Sequence, residues 1–277
     1  MAAESSLPRT LALARVRAIC MAMPGAVEKE AWGQPTWRAG EKGKMFAQPT
    51  HLARAITVPS DATEQAVLVE TDPERFFIPP YSGANGWVGL HLDEETDWEQ
   101  AAALLVAAYR RVAPRKMALL AESPSFEPAA LAAHALATAT VDAAGEARIE
   151  ELAASASQAF AELGRLCLPL PGVEARPGHH GSFAVAGKNF VYVLNDHHGD
   201  DMISVQAKVP PGVQEILVSA DPARFSIPPY MGKAGWVAVR VDRGYVDWEE
   251  IGGLVLDSYR LVAPRKLVQQ ANLPPRA

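Results

Sequence analysis

A cluster of aromatic and basic residues near the start of the chain has the chemistry to contact a polyanion or a flat ligand. Trp32 and Trp37 precede a predicted hairpin, and Arg38, Lys42 and Lys44 lie in and around its turn. Basic residues on a hairpin can reach phosphate groups when the hairpin enters a groove of DNA, and an indole ring can stack on a base. The alternative interpretation is a solvated turn.

Two tyrosines and two tryptophans form a second group of candidates. Tyr81 and Tyr230 each follow a Pro-Pro pair and precede a glycine-containing turn, so we expect them at an edge or in a loop. An amphipathic ring there can stack on a flat ligand or cap the core. Trp87 and Trp236 lie within strand-like segments, which predicts a place in the core or in the wall of a pocket.

The later part of the chain repeats the hairpin region with different residues, namely His179, Phe183 and Lys188. Its histidines form two doublets, His179-His180 and His197-His198, and imidazole is a common metal ligand. Neighbouring residues on a strand point to opposite faces, so a doublet seldom supplies two ligands. The first part of the chain has no counterpart, and we predict neither a metal site nor a cofactor.

Enzymatic signatures are absent from the sequence. It contains no glycine-rich phosphate loop, no G-x-S-x-G elbow and no HExxH motif. Cys20 and Cys167 fall on the apolar faces of predicted helices, where a thiol behaves as a small hydrophobic group. Their spacing supports neither a disulfide framework nor a zinc site. We therefore predict a protein that is not an enzyme and has no catalytic residues.

These candidates are distributed over two copies of one sequence unit, separated by close to 147 residues. The first copy contains IPPYSGANGWVGL and YRRVAPRK, and the second contains IPPYMGKAGWVAV and YRLVAPRK. Shared motifs in one order predict two copies of one domain. The predicted boundaries are residues 1–118 for the first copy, 119–146 for a connector and 147–277 for the second copy.

Each copy has the pattern of a two-layer domain. An opening helix ends at a Pro-Gly turn, short β segments follow, and a long amphipathic helix capped by Asp97 or Asp247 closes the copy. The order of helix, antiparallel strands and helix predicts an α+β fold rather than parallel βαβ winding. The predicted strands are 36–39, 45–48, 54–58 and 87–92 in the first copy and 182–186, 189–194 and 202–208 in the second.

The combination of WGQPTW, IPPYSGANGWV, Asp97-Trp98-Glu99 and YRRVAPRK resembles the MmcQ/YjbR family of small bacterial proteins. The resemblance covers both copies and implies a frataxin-like (CyaY-like) fold with an antiparallel sheet backed by helices. It also implies DNA binding, by a proposed similarity to double-winged domains, which is an analogy at the level of the fold. Two features depart from the family: the tandem arrangement, and GHHGSF in the second copy where the first has WGQPTW.

Composition limits these interpretations. The 277 residues are 49% hydrophobic and 21% charged, with a net charge of −6 and no apolar run long enough to cross a membrane, so we expect a cytoplasmic protein. Residues 9–118 hold 13 basic and 13 acidic side chains, and residues 147–277 hold 13 and 14. A near-neutral domain binds duplex DNA only if its basic residues are gathered on one face.

Two functional hypotheses remain, with a plain interaction module as the third. The first is DNA binding through wing-like hairpins. The second is binding and sequestration of a planar metabolite or drug, which would make the protein a resistance protein, in a pocket between the copies or between sheet and helices. We expect a monomer with an internal pseudo-dimer. The candidate binding residues are Trp32, Trp37, Arg38, Lys44, Tyr81, Trp87, His179, Phe183, Lys188, Tyr230 and Trp236.

Overall fold

The chain folds into two compact units, Met1–Ile149 and Glu150–Ala277, in a computed structural model that describes residues 7–50, 53–178, 180–196 and 200–273. Each unit is one six-stranded antiparallel sheet backed by helices. The α+β class and the tandem repeat of a two-layer domain predicted from the sequence are confirmed.

The first unit has the sheet order β1-β2-β3-β4-β6-β5. Its strands are β1 (Val27–Ala31), β2 (Gln34–Arg38), β3 (Met45–Pro49), β4 (Ala55–Pro59), β5 (Phe76–Phe77) and β6 (Trp87–His91). Its helices are α1 (Arg9–Ala22), α2 (Ala62–Thr71), α3 (Trp98–Val112), α4 (Arg115–Leu120) and α5 (Pro128–Thr138).

The second unit repeats this order as β7-β8-β9-β10-β12-β11. Its strands are β7 (Val173–Arg176), β8 (Gly181–Val185), β9 (Lys188–Asn195), β10 (Ile203–Lys208), β11 (Phe225–Ser226) and β12 (Trp236–Arg240). The helices are α6 (Ala143–Cys167), which opens this copy, α7 (Val213–Ala220), α8 (Trp248–Val262) and α9 (Arg265–Gln270).

The edge strands and the segment between the copies differ from the expectation. β1 has the sequence VEKEA, whose charged residues suit an exposed edge, and β5 has only two residues, so neither carries a strand-like hydrophobic pattern. Residues 119–146 do more than connect. They include α5, whose Leu131, Ala132 and Ala135 belong to the hydrophobic core of the first unit.

The closing helix of each unit begins and is anchored in the same way. Asp97 accepts hydrogen bonds from the first free N–H groups of α3, and Asp247 does so for α8, as predicted. Further along α3, the hydroxyl of Tyr109 donates to the carbonyl oxygen of Pro24, in the turn after α1. Tyr259 donates to the carbonyl of Pro171 at 2.7 Å in the second unit. These bonds fix the closing helix against the end of the opening helix.

Trp37 lies in the core of the first unit, and a partly buried carboxylate satisfies its indole N–H. Its side chain is fully buried, and Nε1 donates to Oε2 of Glu28 at 2.9 Å, across the β1–β2 pair. Arg17 on α1 binds the same carboxylate with two hydrogen bonds of 2.7 and 3.0 Å. The carboxylate therefore links the opening helix, the edge strand and the core tryptophan.

The second unit replaces all three members of this group together. Phe183 takes the place of the tryptophan, and its cross-strand partner is Ala175 instead of a glutamate. Gly164 stands at the position of the arginine, where a Cβ would lie 3.9 Å from the Phe183 ring. Phe160 stacks on Phe183 with ring centroids 4.9 Å apart. A phenyl ring needs no acceptor, so the partners became apolar or small.

We expect Glu28→Ala to lower the free energy of unfolding by about 1–3 kcal/mol, because it leaves the buried indole N–H without an acceptor. In a Trp37→Phe background the same substitution should cost clearly less, since the phenyl ring has no N–H group. Urea denaturation of the four members of this double-mutant cycle measures the coupling. Equal costs in both backgrounds would contradict the assignment.

Candidate functional site

The core helices of the first unit pack against one face of its sheet. We call the opposite face of β4 and β6 the outer face, and Ala55, Thr57, Gly89 and His91 lie on it because strand residues alternate between faces. The alternate residues, which belong to the core, are Ile56, Val58, Val88 and Leu90.

An open cleft of about 580 Å³ lies on the outer face, where β4 starts and β6 ends, beside β5. Its lining residues are Thr50, Arg54, Ala55, Glu74, Phe77, His91, Leu92 and Asp93. A smaller cavity of about 160 Å³ adjoins it and shares Arg54, Leu92 and Asp93. None of these residues was a candidate in the sequence.

A stacked aromatic pair forms one wall of the cleft. The rings of Phe77 and His91 have centroids 4.6 Å apart and an interplanar angle of 29°. The Phe77 ring covers Gly89, where a Cβ would come within 2.2 Å of the ring. Only glycine leaves room for the ring at this position, so the pair depends on a residue of the neighbouring strand.

The rim of the cleft carries both signs of charge. Arg54 and Glu74 are exposed at its mouth. The Asp93 carboxylate accepts a hydrogen bond of 3.2 Å from the Thr96 hydroxyl, which in turn accepts one of 2.7 Å from the Asp93 N–H. The cleft can therefore contact an anionic group and a donor group of one molecule.

The second unit fills the corresponding place with an ion-pair network. The positions of the stacked pair and of the cleft's aspartate carry Ser226, Arg240 and Asp242. Arg240 binds the carboxylate of Asp242 through Nε at 2.9 Å and Nη2 at 3.0 Å, and that carboxylate also accepts the backbone N–H of Ile203 at 3.2 Å. Arg243 lies 3.6 Å from it. Among the residues described at this place, the aromatic pair is missing and the carboxylate is bound by arginine.

The predicted aromatic and basic cluster does not form one surface. Trp37 is buried in the core, so its ring is not available to a ligand. Trp32 lies in the β1–β2 turn with 60% of its surface exposed, whereas Lys42 and Lys44 are exposed in the β2–β3 turn at the other end of β2. Arg38 is half-buried. A strand separates the indole from the lysines.

The counterparts in the second unit are placed in a similar way. Phe183 is fully buried in the core, which corrects its assignment as a binding residue. Lys188 is exposed at the start of β9. His179 lies outside the described residues, as do His197 and His198. The neighbouring His180 accepts a hydrogen bond of 3.4 Å at Nδ1 from the Asn195 N–H.

Trp87 and Trp236 begin equivalent strands and differ in burial. Trp87 is half-buried, while Trp236 is buried and packs against Tyr192 with ring centroids 5.3 Å apart. The carbonyl of each tryptophan accepts a hydrogen bond from a glutamine amide, Gln65 or Gln214, at 2.5 and 2.7 Å. The signal in the sequence for these glutamines is their equal spacing from the tryptophans in the two copies.

Tyr81 and Tyr230 are almost completely exposed, and both have backbone conformations that side chains rarely adopt. Their φ angles are +66° and +65°. In both turns the residue after the tyrosine donates its N–H to the carbonyl of the preceding proline at 2.8 Å, which makes a strained γ-turn. The loop position predicted for these tyrosines is confirmed.

The described part of the chain offers little for metal or thiol chemistry. It contains no group of three or more His, Cys, Asp or Glu side chains that could hold a metal ion. Both cysteines are buried in the cores, as predicted, and burial raises the pKa of Cys167 to about 12 and that of Cys20 well above its usual value. Within the same residues, no helix is long and apolar enough to cross a membrane.

Two comparisons with known proteins return matches. The family model described as YjbR matches residues 21–111 and 168–261. A solved structure of the Deinococcus radiodurans protein DR2400, with the family-model domain DUF419, has 25% sequence identity and a TM-score of 0.33, and it covers 40% of this chain and 86% of that chain. No curated protein matches the chain.

We expect Tyr81→Gly to raise the free energy of unfolding by about 1 kcal/mol, because glycine adopts a positive φ without strain and the exposed ring loses no packing. Tyr245→Gly is the matched control, since Tyr245 is also exposed but lacks a positive φ. It should leave stability unchanged or lower it. If thermal denaturation shows that Tyr81→Gly is less stable than wild type, the assignment of backbone strain to Tyr81 is wrong.

Proposed function

Since the chain belongs to the YjbR family, with a match in each unit, we propose that it is a non-enzymatic binding protein whose first unit holds a small planar ligand. The observation that carries the proposal is the outer-face cleft, which combines an aromatic wall with charges of both signs. Ligand sites are typically concave, with apolar walls and a few polar groups that fix orientation.

The charges of the rim indicate the class of ligand. The Arg54 guanidinium suits a carboxylate, because its planar set of donors can bind both oxygens. Glu74 and Asp93 suit an amino group or a ring N–H on the same molecule. The edge of the stacked pair offers an aromatic surface to the ligand's ring. These features favour a planar heteroaromatic amino acid.

The cleft chemistry supports binding without catalysis. Among the described lining residues the single hydroxyl belongs to Thr50, which donates to the Ala55 carbonyl at 3.2 Å and accepts the Ala55 N–H at 2.9 Å. This hydroxyl closes a local turn and is not paired with a base. A nucleophile activated for covalent catalysis would need such a partner.

Duplex DNA binding through the hairpins has less support. On the β2–β3 turn, the two exposed lysines lie beside Glu41, and Lys29 forms an ion pair of 3.0 Å with the same glutamate. A turn with so few uncommitted positive charges releases few counterions from DNA. DNA binding is therefore the alternative hypothesis, and the experiment must distinguish it from ligand binding.

The proposal is tested with 4-aminoquinoline-2-carboxylate as the probe. The control compound is 4-aminoquinoline, which lacks the carboxylate. At a hundredfold excess over Kd, the probe should raise the free energy of unfolding by about 2.7 kcal/mol, because it binds only the native state. The control compound should give a smaller shift in Tm than the probe. Thermal denaturation at several probe concentrations reports both.

Two double variants separate the cleft from the hairpin. Arg54→Ile with His91→Arg introduces the residues that the second unit carries at these positions, and it should abolish the shift. Lys42→Ala with Lys44→Ala should keep it. The proposal fails if wild type shows no shift with either compound, or if the lysine variant loses the shift and the cleft variant retains it. If the wild type binds duplex DNA in a salt-dependent way and the lysine variant does not, DNA binding would be favoured over ligand binding.

A further inference from the structure

A buried hydroxyl lies on the outer face next to the cleft. Thr57 has only 4% of its surface exposed, and its Oγ1 atom has no hydrogen-bond partner among the described residues. Buried polar groups are almost always hydrogen-bonded, so a buried hydroxyl without a partner needs an explanation. One explanation is a ligand that supplies the missing hydrogen bond.

The strand register places this hydroxyl directly beyond the aromatic wall. Thr57 pairs with Gly89, and Gly89 pairs with Phe77, so the three residues form one row across β4, β6 and β5. The Phe77 ring lies over the middle member of the row. Ala55 and His91, which line the cleft, form the adjacent row. The ring thus lies over the middle of the threonine's row, beside the row that lines the cleft.

We propose that Thr57 is a ligand-contacting residue that determines the specificity of the cleft. When a ligand enters, the Phe77 ring rotates away from Gly89. The Thr57 hydroxyl then forms a hydrogen bond with a polar group at the far end of the ligand. The inference rests on the proposed function, since it assigns a contact within the same cleft.

The distance between the rows indicates the size of the ligand. Residues two apart on a strand are separated by about 7 Å along the strand. Arg54 precedes Ala55 by one more residue. A ligand whose carboxylate lies near Arg54 must therefore extend by at least about 7 Å, roughly the length of two fused rings, to reach the row of Thr57. This favours a bicyclic ligand with a hydroxyl or carbonyl on its second ring over a single ring.

The second unit supports a link between the ring, the glycine and the cleft. At the three positions of the row it has Gln206, Ala238 and Ser226. A Cβ at the middle position leaves no room for a ring like that of Phe77, and the residue opposite it is the small Ser226. The movable aromatic wall is therefore particular to the first unit.

The test compares two probes on three proteins. The probes are 4-aminoquinoline-2-carboxylate and its 6-hydroxy derivative, and the proteins are wild type, Thr57→Val and the conservative control Thr57→Ser. Wild type should bind the hydroxylated probe about ten-fold more tightly, which corresponds to one hydrogen bond of about 1.4 kcal/mol. Thr57→Val should lose this preference, and Thr57→Ser should keep it.

A second measurement excludes a purely structural role. Without ligand, Thr57→Val should have a Tm equal to or above that of wild type, because it removes a buried hydroxyl that has no partner. A lower Tm together with equal losses of affinity for both probes would overturn the inference. The inference would also be overturned if Thr57→Val still prefers the hydroxylated probe. In that case the proposed function would stand. If wild type binds neither probe, the proposed function fails as well.

Discussion

Each unit depends on one buried tyrosine of its closing helix. Tyr109 donates its hydroxyl to the carbonyl of Pro24 and meets the Phe46 ring edge-on at 5.2 Å, so a single side chain joins the closing helix, the turn after the opening helix and the sheet. Tyr259 does the same in the second unit. Burial raises the pKa of both hydroxyls above the ordinary value for tyrosine. These bonds hold each closing helix against the end of its opening helix, in the core of the unit.

On this shared frame the two units have diverged in coupled groups. In the core, an indole with its carboxylate and guanidinium partners in the first unit corresponds to a phenyl ring with small or apolar neighbours in the second, which packs without a polar atom of its own. On the outer face, a phenylalanine over Gly89 corresponds to Ser226 and Ala238. The first unit keeps an open cleft where Arg240 and Asp242 of the second neutralise each other. Both units therefore keep the fold, while the residues that line the first unit's cleft differ in the second.

The sequence predicted what depends on local patterns. Asp97 was identified as a helix cap, Cys20 as a core residue and Tyr81 as a loop residue, because capping, helical periodicity and proline each act within a few residues. It placed Trp37 and Trp32 together, although one fills the core and the other a turn, since their separation depends on where β2 begins. The cleft was missed because Phe77 belongs to a two-residue strand, and its contacts follow from cross-strand register that a single sequence does not show.

The proposed function assigns ligand binding to the first unit and not to the second. Isothermal titration calorimetry of the full chain with 4-aminoquinoline-2-carboxylate measures the number of sites directly. We expect one molecule bound per chain, and no heat of binding after Arg54→Ile and His91→Arg are introduced together. Two equivalent molecules per chain, or one molecule that still binds this double variant, would contradict it.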